Sequence, residues 1–328
     1  MINIKKLWKG FIFSLIIALP AWFLGKTFSL IGGPVFGILL GMIVAFWKRP
    51  HTFDEGIEFT GKKILQYAII LLGFEMNLYT VLTVGQQSLL IIFSTLATAF
   101  TTAFFIGKLL KIDSNTTTLI GVGTAICGGS AIAATAPVIK AHDKEVAFSI
   151  STIFLFNIIA VFIFPALGHI LNLSDNGFGM WAGTAINDTS SVVAAAYSYS
   201  HPAGDYATIV KLTRALMIIP ITIFLAFFCT KINKQETDYN VGKIFPWFIL
   251  WFVVASIICT TNILPSYIAK SLTSIGKFSI TLAMVAIGLN TNLKHLLKNG
   301  VRPILLGLCC WIAVAITSLI IQHLIGLL

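Results

Sequence analysis

The sequence predicts an all-α, polytopic membrane protein of about eleven transmembrane helices, two of them broken at mid-span. Three observations carry that reading. Only 10% of residues are charged, 57% are hydrophobic and mean hydropathy is +0.93, against about a quarter charged in soluble domains. Apolar runs of about 20 residues, enough to cross a hydrocarbon core, follow one another along the chain. Two of those runs are interrupted by related polar motifs, GTAICGGSAIAATAP at 123–137 and GTAINDTSSVVAAA at 183–196.

The runs fall near 10–26, 29–47, 62–83, 86–108, 115–139, 145–171, 177–200, 207–230, 244–262, 268–290 and 301–326. Connecting loops stay under about 15 residues, so residues 1–328 are expected to form one membrane domain with its chemistry inside the spans. The first run lacks a short core with a small-residue cleavage site. Trp22, Lys26 and a second run follow it, which predicts a retained helix instead of a signal peptide.

Basic residues are enriched in cytoplasmic loops and set the orientation. Lys5, Lys6 and Lys9 precede the first span, and Lys48, Arg49, Lys62 and Lys63 bracket the loop after the second. Lys108 and Lys111 follow the fourth, Lys231, Lys234 and Lys243 the eighth, and Lys294, Lys298 and Arg302 the tenth. All fall on one side of a cell membrane if the amino terminus is cytoplasmic and the carboxyl terminus outside. Lys140 and Lys144 are the exception, because counting spans puts them outside.

The chain also repeats itself. Shifted by 215, GKKILQYAIILLGFEMNLYTVLTVG (61–85) matches GKFSITLAMVAIGLNTNLKHLLKNG (276–300) at eight of 25 positions, within repeat segments of about 61–108 and 276–326. The third and tenth spans run in opposite directions, and inverted repeats are characteristic of secondary transporters. The match between the two broken segments, about 115–139 and 177–200, has a shift of 60. One span lies between them, so counting makes them parallel, where inverted repeats require antiparallel. Either one is re-entrant or the likeness is local chemistry; the sequence leaves both open.

Unwound backbone in a bilayer survives only when buried in protein or lining a wet cavity. A half-helix that starts there offers free N–H groups to an anion, and one that ends there offers carbonyls to a cation. Gly128 and Gly129 allow close approach to backbone, Ser130 is a candidate N-cap, and Thr124 and Cys127 are candidates to line the cavity. In the second break Asn187, Thr189, Ser190 and Ser191 supply donors and acceptors. The competing reading is that Gly, Ala and Ser merely permit close helix packing.

Of twelve acidic residues only Glu75 and Asp188 sit well inside apolar runs. A carboxylate at mid-membrane costs about 2.5–3.5 kcal/mol and is a functional hypothesis by default. Asp188 is therefore a candidate proton carrier or Na⁺ ligand, unless a structural partner such as Arg214 neutralises it. Lys211 and Arg214 stand one turn apart on one helix face. They are placed to complement an anionic substrate, to pair with Asp188, or to snorkel to an interface. Asn77 and its repeat counterpart Asn292 complete the candidate set with Glu75.

Other classes find little support. The net charge of +10 comes from loop lysines and arginines, with no soluble basic domain to bind nucleic acid. The five cysteines show neither C-x-x-C nor a histidine at metal spacing, so no metal site or cofactor is expected. A membrane aspartyl protease needs two facing aspartates, a serine protease a histidine buried beside Ser130, and neither a P-loop nor H-E-x-x-H is present. An enzyme is not expected.

GTAICGGSAIAATAPVIKA, LLGFEMN, NDTSSVVAAA and VKLTRALMIIP together resemble the YeiH-like family of bacterial membrane proteins, conjectured to export sulfate. The likeness runs from about residue 15 to 325, with the motifs in the family's order. It is similar in turn to bile-acid-symporter-like and cation/proton-antiporter-like carriers, which implies a core moving against a panel, with the crossover at Cys127–Ser130 and Asn187–Ser190. Lys140 matches the basic residue that ends the family's first broken segment. Relatives often carry a His-Glu or His-Asp pair in the second; here Asn187 stands in place of the histidine, removing a titrating imidazole.

The expectation is a secondary transporter of a small, anionic solute in the lipid bilayer, coupled to H⁺ or Na⁺ through Asp188, with a homo-oligomer allowed. A channel formed by the same breaks, or a membrane receptor that binds without transporting, are the alternatives.

Overall fold

The computed structural model describes residues 4–28, 32–47, 49–233, 246–291 and 300–327, and among these every regular element is helical. In chain order the helices are α1 (Ile4–Thr27), α2 (Gly33–Val44), α3 (Asp54–Phe59), α4 (Leu65–Leu72), α5 (Leu78–Leu109), α6 (Ser114–Ala125), α7 (Gly129–Thr135) and α8 (Asp143–Ile170). They continue as α9 (Asp175–Ala185), α10 (Thr189–Tyr199), α11 (His201–Ala215), α12 (Ile218–Asn233), α13 (Trp247–Thr260), α14 (Ser266–Asn290) and α15 (Val301–Leu324). Six stretches among the described residues are long and apolar enough to cross a membrane: Leu7–Thr27, Leu78–Leu109, Lys144–Ile170, His201–Leu225, Ser266–Asn290 and Val301–Leu324. Two shorter apolar helices, Gly33–Val44 and Trp247–Thr260, join them. The protein is a polytopic, all-α membrane protein.

The chain forms two compact units: residues 1–83, 193–205 and 247–292 in the first, and 84–192, 206–246 and 293–328 in the second. In the first unit α2 lies directly on α14. Gly33, Gly37 and Gly41 recur every four residues, and a Cβ on Gly41 would fall 3.0 Å from the Gly288 Cα. Small residues let two backbones approach in this way where lipid offers no hydrophobic drive. Arg49 donates to the Leu289 carbonyl (2.5 Å), Asn290 Oδ1 (2.8 Å) and Asp54 Oδ1 (3.0 Å), placing a cation at the negative end of α14.

The third apolar run, expected over 62–83, is helical from His51 to Glu75 through α3, a π-helical turn at Thr60–Ile64 and α4. Lys62 lies inside this helix, as a good helix former can, and its ammonium pairs with Glu58 one turn earlier, at 2.7 Å. The helix stops where Met76 turns extended (φ −102°, ψ 127°), and α14 stops the same way at Thr291 (φ −80°, ψ 113°). Asn77 Oδ1 then accepts from the Tyr79 N–H at 2.8 Å and opens α5. Lys48, Lys234, Lys243, Lys294 and Lys298, used above for orientation, lie outside the described residues, as does Asn292.

In the second unit both breaks fall where the sequence puts them, and at each the chain doubles back. Asn115 Nδ2 donates to Glu145 Oε2 at 3.1 Å, so α6 and α8 start side by side. They run parallel, with Gly123 against Ile153 and Gly128 against Ile153 and Asn157. After the break α7 returns: Ile132 packs on Gly123, a pair that one continuous helix would hold about 13 Å apart. Ile139 and Ala141 come back to the apolar cluster that Leu110, Ile112 and Val146 also cover. The α6–α7 segment is thus a re-entrant hairpin whose two ends share one end of α8, and Lys140 and Lys144 lie at the same end as Lys108 and Lys111.

The α9–α10 segment enters from the opposite end. It follows α8 through a short turn, with the Phe164 and Trp181 rings stacked at 4.2 Å. α12 packs against α7 in the first hairpin's half, so α11, which precedes it, occupies the other half. Gly183 of α9 touches Val210 and Ala207 of α11, and α10 leads into the start of α11 after the single residue Ser200. The α9 arm of this hairpin therefore lies in α11's half. Two hairpins entering from opposite ends are antiparallel, the orientation that counting spans left unresolved.

Candidate functional site

The tips of the two hairpins meet at the middle of the second unit. In the first, Ile126 (φ −116°, ψ −92°) leaves the helix and Gly128 takes φ 69°, ψ −128°, a region essentially reserved for glycine. Gly128, not Ser130, is the N-cap of α7, and Ser130 lies within the helix with an exposed side chain. In the second, Ile186 is extended (φ −86°, ψ 133°) and α10 begins at Thr189. A Cβ on Gly128 would stand 3.7 Å from the Asp188 Cβ and 3.6 Å from Asn157 Nδ2. Thr124, Cys127, Gly128, Gly129, Asn187, Asp188, Thr189 and Ser190 thus gather around these tips, while Ser130 is exposed.

The carbonyl ends of the hairpins are held by two cations. Lys211 Nζ donates to the Ile126 carbonyl at 2.9 Å and the Ile186 carbonyl at 3.0 Å. Arg214 donates through Nε to the Ala125 carbonyl at 2.7 Å, through Nη2 to the Thr124 carbonyl at 2.6 Å, and through Nη1 to the Thr184 carbonyl. Both side chains are fully buried. Bonds to charged groups contribute about 1.5–3 kcal/mol each, so the five together offset the cost of placing two cations at mid-membrane, about 2.5–3.5 kcal/mol apiece. The physical logic is that α6 and α9 each end in a partial negative charge, and the cations meet both ends at once.

Arg214 is therefore not the partner of Asp188, and among the described residues no ion pair joins Asp188 to either cation. Asp188 caps its own helix instead: Oδ2 accepts from the Ser190 N–H at 3.0 Å and from the Ser190 hydroxyl. Its backbone N–H donates to Asn157 Oδ1 at 3.3 Å.

Asn157, on α8, is a residue the sequence reading missed. It is nearly fully buried, touches both tips, and its Nδ2 has no hydrogen-bond partner among the described residues. A lone asparagine in TIFLFNIIAVFIF was the available signal. Asn187 is 1% exposed and neither of its amide atoms has a partner among the described residues, and the same holds for the buried Thr124 hydroxyl. Buried polar groups without partners cost about 1–3 kcal/mol each, a cost that a polar partner at the tips would offset.

Glu75 and Asn77 belong to the first unit. Glu75 Oε2 pairs with Lys277 Nζ at 2.8 Å beside a cavity of about 500 Å³ that Asn262 and Thr273 also line. Asn77 caps α5.

A family described as conserved hypothetical protein 698 matches residues 9–307 of this chain. The chain belongs to that family. Conserved hypothetical protein 698 relatives include a UPF0324 membrane protein of Fusobacterium nucleatum, 50% identical over 97% of this chain and 98% of its own length. Another, from Streptococcus mutans, is 51% identical with 97% of each chain covered, and one from Streptococcus agalactiae is 50% identical over 97% of each. These names say that the relatives are membrane proteins, and membership of the family supports the resemblance read from the motifs.

Proposed function

We propose that this chain is a secondary transporter of a small anion, with its binding site at the meeting point of the two hairpins. The observation that carries the reading is the charge at the centre. Two fully buried cations, Lys211 and Arg214, face one carboxylate, Asp188, which leaves a positive charge uncompensated. A net charge in hydrocarbon is costly, and an anion offsets it. The amide groups of Asn157 and Asn187 supply neutral donors beside that charge.

Two further features suit a carrier. Hairpins entering from opposite ends, and helices that stop alike at Met76 and Thr291, 215 positions apart, fit an inverted repeat. The doubled-back α6–α7 segment also brings Lys140 and Lys144 to the end that carries Lys108 and Lys111, so every basic cluster agrees with a cytoplasmic amino terminus and an external carboxyl terminus. The core would move against the rest of the protein to alternate access, driven by an H⁺ or Na⁺ gradient through Asp188.

The test is flux into proteoliposomes, with labelled sulfate, phosphate and chloride as first probes. Asp188→Asn is expected to abolish gradient-driven accumulation while the protein stays folded, because asparagine caps a helix about as well as aspartate. Full retention of accumulation removes Asp188 from the mechanism. Flux without saturation or counterflow indicates a channel, and binding without entry into the lumen indicates a receptor.

A further inference from the structure

Carriers with broken helices commonly hold their coupling cation on the carbonyl ends of half-helices. Five such carbonyls are present here, from Thr124, Ala125, Ile126, Thr184 and Ile186, and each accepts from Lys211 or Arg214. We propose that these two side chains are permanent occupants of the cation position, so that the centre takes no alkali cation and transport by this chain is Na⁺-independent. Only the consequence for transport rests on the carrier reading; cation occupancy stands on the geometry alone.

Three observations support it. A hard cation needs oxygen ligands, and the oxygens at these helix ends are already directed at N–H donors. An entering Na⁺ would come into direct contact with an ammonium and a guanidinium, both fully buried, where like charges repel most strongly. Of the Asp188 carboxylate, Oδ2 is already engaged by the Ser190 N–H and hydroxyl, and the other side-chain oxygens at the tips, those of Asn157, Asn187 and Thr124, are neutral. The arrangement also says what removal of Lys211 would do. The Ile126 and Ile186 carbonyls both lie within 3.0 Å of one nitrogen, so deleting that nitrogen leaves two carbonyls aimed at one point in a space the size of a lysine side chain. There an alkali cation would take over the single charge that the ammonium carried, with two carbonyls already turned towards it.

The experiment measures the thermal unfolding midpoint of purified protein as NaCl replaces N-methyl-D-glucamine chloride at constant chloride. A ligand that binds the native state raises the midpoint in a saturable way. The wild type is expected to show no Na⁺-specific shift. Lys211→Ala is expected to unfold at lower temperature and to regain part of the loss through a saturable, Na⁺-specific upward shift. Should alanine leave too little folded protein, Lys211→Ser carries the same comparison. A saturable Na⁺ shift in the wild type overturns the proposal, as does a folded Lys211 variant that responds to none of Na⁺, Li⁺ and K⁺. Chloride is constant and no flux is measured, so failure here leaves anion transport standing, and failure of the flux assay leaves this result standing.

Discussion

The two hairpin tips perform the same turn with different chemistry. The α6–α7 tip is opened by backbone: Gly128 takes φ 69° and no side chain caps α7. The α9–α10 tip is opened by side chains: Ile186 stays in an ordinary extended conformation, and the Asp188 carboxylate holds the Ser190 N–H in the first turn of α10. Their carbonyl ends, by contrast, are treated alike, since Lys211 binds one carbonyl from each and Arg214 binds both. The cations are common to the pair and the anionic cap belongs to one member. The difference teaches that the same turn can be made by a glycine backbone without a side-chain cap or by an ordinary backbone with an anionic one.

The largest effect should come from removing what the tips share. Arg214→Ala leaves the Thr124, Ala125 and Thr184 carbonyls without their donor in a fully buried place, at about 1–3 kcal/mol per unsatisfied group. Little folded protein is expected by size-exclusion chromatography in detergent, and Arg214→Lys should recover only part of it, because an ammonium cannot reproduce the planar fork. A wild-type yield of Arg214→Ala would show that the hairpins do not depend on their shared cation.

Next comes the backbone-opened tip. Gly128→Ala forces a residue with a Cβ into a positive-φ conformation, a strain of about 1–3 kcal/mol. Gly129→Ala should cost much less, since its nearest obstacle is the edge of the Phe154 ring at 3.3 Å. Thermal midpoints of the pair measure the gap, and equal values would deny that the first tip is opened by glycine geometry. A smaller change is expected from Asn157→Ala, which removes the acceptor for the Asp188 N–H at 3.3 Å, a loss of about 1 kcal/mol. Its sharper consequence is functional: the midpoint shift produced by a stabilising anion should shrink, and an unchanged shift would place Asn157 outside the site.

Much of this was legible in the sequence. The positions of the apolar runs, the two breaks and the family likeness all followed from hydropathy and motif. The doubling back did not, because an apolar hairpin of about 25 residues has the same composition as a span of that length. It left two traces, the wrong-sidedness of Lys140 and Lys144 and a parallel count for two segments that inverted repeats require antiparallel. Lys211 and Arg214 stood out as two cations one turn apart, with an anionic substrate, Asp188 or an interface as candidate partners, yet their targets are peptide carbonyls, which carry no signature in a sequence. Asp188 was legible as an intramembrane acid, whereas its use as a cap depends on the chain stopping at Ala185 and restarting at Thr189. The third run shifted because Glu58, Lys62 and Lys63 are good helix formers that a hydropathy window discounts.

The account turns on the two tips entering from opposite faces of the membrane. The most direct measurement is labelling of single cysteines by a membrane-impermeant reagent in intact cells, with the five native cysteines replaced. Lys140→Cys is expected to label only after the membrane is opened, and Leu173→Cys from outside without opening. External labelling at position 140 would make α6–α7 a crossing span and contradict the account.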